Sequence, residues 1–147
     1  MRKAFTMIEL VFVIVVIGIL AVVAVPKLAP VISDAQIAKG KATLAAVRSA
    51  LSTERQKQIL RGKFNGITSL RGNGSGIFST FNDANGSSVL EYDVASCTHK
   101  GCWVVDSSGT AGVDYIFKSS NGDCKYKLEN NRFVDKTTGG CTDLEGQ

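Results

Sequence analysis

Apolar and polar positions divide this chain into three stretches. Leu10 to Val25 reads LVFVIVVIGILAVVAV, with Gly18 the one interruption in an otherwise apolar run. Phe5 to Val25 is 21 residues, about 31 Å as a helix, enough to cross a hydrocarbon core. A lone acid, Glu9, stands just before the run, and Arg2 and Lys3 stand upstream. That basic leader predicts a cytoplasmic N-terminus and an exported remainder. A carboxylate deep in a span costs about 2.5 kcal/mol or more, so Glu9 calls for a partner.

After the run the period changes. Pro26 and Pro30 are the only prolines, and each removes a backbone donor and disfavours helix just before it. They predict a bend or an unwound turn near residues 27–31. Ser33 or Asp34 can cap a second helix ending near Arg61, with Gly62 as its stop. Ile37, Leu44, Val47 and Leu51 share one arc of it. Alanines at 35, 38, 42, 45, 46 and 50 keep its other faces slim.

Residues 62–88 carry Asn65-Gly66, a glycine-rich run from Gly72 to Gly76, and Asn85-Gly86-Ser87-Ser88, and so form a loop. Ile67, Leu70, Ile77, Phe78 and Phe81 should pin that loop to the domain. Four strands are then expected, at 102–106 (CWVVD), 113–118 (VDYIFK), 124–129 (CKYKLE) and 132–135 (RFVD). Asn121-Gly122 and Asn130-Asn131 between them suit hairpins. The expected class is α+β, a long N-terminal helix packed on a small antiparallel sheet with a disulfide-closed C-terminal region.

Charge adds an asymmetry to this picture. The 147 residues carry a net charge of +4, or +2 once Arg2 and Lys3 are removed. Between Asp34 and Arg71 eight bases face two acids, whereas from Gly72 onward ten acids face six bases. A solvated stem and a solvated head explain this, and so does a stem that meets the acidic head of another copy. Nucleic-acid binding by the basic stripe is a further reading, although no aromatic residue interleaves it between Ile37 and Arg61.

All four cysteines lie in the exported half, which favours two disulfides in an oxidising compartment. Three pairings are possible, and local spacing favours Cys97–Cys102 and Cys124–Cys141. The alternative is zinc bound by Cys97, His99 and Cys102 with another cysteine, though this spacing is no strong finger pattern. His99 is the one histidine, and no nucleophile or paired carboxylate is placed beside it. No enzyme activity and no cofactor are expected. The polar stretch from Asp106 to Asp114 is first a hairpin turn, with calcium at Asp106 and Asp114 as the alternative.

Three readings compete for the apolar run: a secretory signal cut after Ala24, an uncleaved anchor, or a polymerisation helix. Ala4-Phe5-Thr6-Met7-Ile8-Glu9-Leu10, the run itself, Gly18 and Pro26 resemble the N-terminus of type IV pilins and type II secretion pseudopilins. The resemblance covers about the first 30 residues, and beyond them only the architecture. It implies cleavage by a prepilin peptidase between Ala4 and Phe5, with methylation of Phe5. Ala4 stands where the family usually has Gly. It also implies that Glu9 pairs with the N-terminal amine of a neighbouring subunit, so that Phe5 and Glu9 are the assembly residues.

The domains expected are a leader at 1–4, a membrane and polymerisation helix at 5–26, a stem at 27–61 and a head at 62–147. The implied function is a structural subunit of a pilus-like filament, first a type II secretion or competence-type pseudopilin. A pilin for adhesion, motility or DNA uptake is the alternative, and a membrane-anchored module that never polymerises is the rival from another class. Implied partners are further copies of the chain, minor pilins or pseudopilins, the prepilin peptidase and an inner-membrane assembly platform. The implied location is the inner membrane, single pass, with the head in the periplasm, or the cell surface once assembled.

Overall fold

The computed structural model describes residues 5–71, 76–81, 87–106 and 114–146. Helix α1 spans Met7–Leu60, and the chain divides into two compact units, Met1–Asp34 and Ala35–Gln147. In the first unit every described position from 5 to 32 is exposed. The unwound turn expected at 27–31 and the new start at Ser33 or Asp34 are absent, because helix continues through Pro26 and Pro30. Each proline deletes one donor, and a spacing of four puts both defects on one face, so the other faces keep their bonds.

In the second unit α1 buries one stripe, formed by Gly40, Leu44, Val47, Leu51, Glu54 and Gln58. Their alternating steps of four and three keep them on one side of the helix. The stripe begins at Gly40 rather than Ile37, which is only half-buried. A Cβ at position 40 would lie 2.6 Å from Phe117 Cζ and 2.8 Å from Leu144 Cδ2. Only glycine lets the ring and the leucine approach the helix so closely.

The sheet is an antiparallel meander in the order β1-β2-β3-β4, with β1 Cys102–Asp106, β2 Asp114–Lys118, β3 Asp123–Glu129 and β4 Arg132–Asp135. Tyr115 pairs with Tyr126 across the central strands β2 and β3, and Leu128 pairs with Phe133 of the edge strand β4. Asn130 and Asn131 hold φ of 51° and 62°, the doubly left-handed conformation of a tight two-residue hairpin. Lys125 is exposed between buried Cys124 and Tyr126, as a one-sided sheet requires.

The long connection does pack down, for Ile67, Leu70, Ile77, Phe78 and Phe81 are all buried. Phe78 stacks on Tyr115 at 5.3 Å and meets Trp103 edge-on. The Tyr115 hydroxyl accepts the Leu70 N–H at 2.9 Å. A short helix α2, Thr142–Glu145, closes the chain by burying Leu144. The protein is α+β, a long N-terminal helix with a small antiparallel sheet and a disulfide-closed C-terminal region.

Candidate functional site

The first turn of α1 is built around Glu9. Thr6 precedes the helix and Glu9 is its third residue, the arrangement in which each side chain satisfies the other's backbone. The Thr6 N–H donates to Glu9 Oε2 at 2.9 Å and the Thr6 hydroxyl to the same oxygen at 2.7 Å. The Glu9 N–H donates back to Thr6 Oγ1 at 3.4 Å. The negative carboxylate also complements the positive end of the helix. Both strong bonds land on Oε2, which leaves Oε1 open among the described residues. Thr6 is the functional residue that sequence reasoning missed, and its signal is the Thr-x-x-Glu spacing ahead of an apolar run.

Phe5, beside this turn, is 83% exposed, while Ala4 lies outside the described residues. Helix α1 contains a stretch long and apolar enough to cross a membrane, none of it buried by the chain itself.

The head carries two disulfides, Cys97–Cys102 and Cys124–Cys141. His99 lies beside the first, its ring nitrogen and the two sulfurs all within 4.8 Å of one another. With both sulfurs bonded to each other the thiolates a zinc ion needs are consumed, and the imidazole is a single ligand. Asp106 and Asp114 are register partners of the backbone at the end of the β1–β2 pair. The rest of the calcium candidate, residues 107–113, lies outside the described residues.

The C-terminal tail is fixed by charge. Arg48 on α1 donates Nη1 to Glu145 Oε2 at 2.8 Å and forms an ion pair with Oε1. Its Nε and Nη2 also reach the Phe133 carbonyl at 3.3 and 3.2 Å. The bond to Glu145 raises the Arg48 pKa further. Asp135 accepts the Thr137 N–H at 2.8 Å and the Cys141 N–H at 2.7 Å. Partial burial pushes its carboxyl up, but the donors of Thr137 and Cys141 outweigh this and hold it below the usual aspartate value. Burial pushes the Tyr115 and Tyr126 phenols up.

Beside this lock lies a groove of about 720 Å³ between α1 and β4. Leu51, Phe133 and Val134 line it with Arg48, Arg55 and Arg132. The ionic contacts of Arg48 and Glu145 join the tail to α1, and Glu9 caps the start of the helix.

The "Type IV narrow pilus major component PilA5" of Thermus thermophilus is 54% identical to this chain over 48 residues. That match takes in 33% of this chain and 41% of the relative, so the chain spans well under half of it. No family model matches the chain, and no solved structure matches it.

Proposed function

We propose, from the premise that this is a type IV pilin-like protein, that it is a structural subunit polymerising through its first helix into a type IV pilus-like filament. The observation that carries the proposal is an apolar helix with nothing of its own chain against it, headed by one carboxylate. A stretch apolar all round requires lipid or other helices as its surroundings. In the bilayer the segment anchors the subunit, with the head in the periplasm. In a filament the spans bundle together.

Glu9 then acts at each stage. Its Oε2 is satisfied by Thr6 from the same chain, while Oε1 takes no donor among the described residues. After a peptidase cut between Ala4 and Phe5, the methylated Phe5 amine of a neighbour supplies one. An unpaired charge inside the bundle is strongly penalised, so the pair fixes the stagger between subunits. Pro26 and Pro30 mark where the helix can bend to suit the bundle. Prepilin peptidase, an assembly platform and minor subunits are the partners this sequence of events requires.

The relative is named as a major component of a pilus, which supports a pilus-like structural subunit, whether of a pilus or of a secretion or competence pseudopilus. Glu9→Leu tests the reading in cells that make the full chain. The expected outcome is normal membrane insertion and precursor processing with no filaments on the cell surface. Filaments of normal number and length from Glu9→Leu would overturn it.

A further inference from the structure

Two surfaces of the head carry opposite charges that form no ion pair among the described residues. The first is the groove between α1 and β4. Buried Leu51 and Phe133 form its floor with Val134, and Asp135 and Glu145 line its Arg48 end, while Arg55 and Arg132 make no ion pair among the described residues. Arg55 donates to the carbonyls of Asn65 and Phe64 at 2.9 and 3.5 Å and to Gln58 Oε1 at 3.4 Å. Arg132 makes no ion pair among the described residues. Its cross-strand neighbour Glu129 is paired with Lys136 at 2.8 Å. Arg48 is already occupied by Glu145.

The second surface is the tab Glu91-Tyr92-Asp93. All three residues are exposed, and Tyr92 is 79% so. Leu90 and Val94 at its two ends pack against the core, and the Val94 carbonyl accepts the Ile77 N–H at 3.0 Å. The tab is therefore held in place before any contact is made, which lowers the ordering cost of binding. Neither Glu91 nor Asp93 makes an ion pair among the described residues.

Tyr92 and Asp93 share a cleft with Cys102 and Trp103 of β1, whereas the groove runs along β4. β1 and β4 are the opposite edges of the sheet. We infer that the tab of one copy docks in the groove of the next, Tyr92 on the apolar floor and its two acids against Arg55 and Arg132. The inference rests on the filament reading above. Such a contact joins two different surfaces and so propagates along an open assembly instead of closing a dimer. A tyrosine anchor supplies affinity, and the flanking charges supply register.

The test is a charge swap in cells producing the full chain, with sheared surface filaments as the readout. Arg55→Glu/Arg132→Glu and, separately, Glu91→Lys/Asp93→Lys should each lower filament yield about tenfold or more. The four changes together should restore most of it. Tyr92→Ser removes only an exposed side chain and should lower the yield without shifting the melting temperature, which keeps the test decisive if an arginine variant folds poorly. Normal yield from Tyr92→Ser or from the acid-side reversal, or no recovery in the combined variant, would overturn the docking. A reversal that acts on the arginine side alone would assign the groove to some other partner and overturn it equally. Glu9→Leu, run alongside, separates the two inferences. Filaments lost there but intact in the head variants reject only the docking, while filaments retained there reject the filament reading itself.

Discussion

Helix α1 holds two stretches with the same backbone and different surroundings. From 5 to 32 every position is exposed, whereas from 40 to 58 a narrow stripe is buried and the rest faces outward. The second stretch finds its partner in its own sheet, and its sequence shows this by confining large apolar residues to one side. The first is apolar on all sides and is covered by none of the described residues. Periodicity thus reports the geometry of the partner, and its absence reports surroundings that are the same in every direction.

An aspartate introduced into each stretch gives the widest contrast. Val47 is fully buried, so Val47→Asp should cost the head at least about 3 kcal/mol and lower its melting temperature sharply in calorimetry. Val15 is 53% exposed, so Val15→Asp should leave the head's melting unchanged while impairing membrane insertion.

Glycines offer a finer contrast. Gly40→Ala drives a methyl into Phe117 and Leu144 and should destabilise the head by about 1–3 kcal/mol in denaturant unfolding. Gly18 has nothing within 4 Å, so Gly18→Ala should leave head stability untouched and favour the helix by about 0.5–1 kcal/mol. Equal effects at the two glycines would erase the distinction between the stretches.

The smallest expected effect concerns the tail. Asp135 ionises more readily in the folded head than in the unfolded chain, where 3.8 is the ordinary value. Its contribution is therefore complete above that value and is lost as pH falls through the folded one. Asp135→Asn should cost about 1 kcal/mol at neutral pH. Its loss of stability on acidification below pH 3.8 should be shallower than that of the unaltered head.

Much of this was legible in the sequence because it is local. Alternation around Tyr126 and the Asn130-Asn131 pair placed the hairpin, and Leu44, Val47 and Leu51 placed the stripe. The short spacings within Cys97–Cys102 and Cys124–Cys141 pointed to the bonds the head contains. Other features depend on residues far apart in the chain. Gly40 looks like a weak point in a helix until Phe117 is brought against it, and Arg48 meets Glu145 from 97 positions away.

Helix continues through Pro26 and Pro30 because the penalty of a proline is local, while the run around it is long. Helix α2 spans only four residues, too few to show a period. At the candidate site, Glu9 announced itself by its charge. Its companion Thr6 was readable only as one half of a capping pair.

Arg48 also bears on the open edge of the sheet. In the two-residue hairpin Glu129 and Arg132 form the bonded pair next to the turn, which aims the Phe133 carbonyl away from β3. That carbonyl belongs to the open rim of the sheet, where an incoming chain would seek its first hydrogen bond. The Arg48 guanidinium already occupies it. The same arginine that secures the tail therefore also closes one edge acceptor that strand exchange between two heads would need.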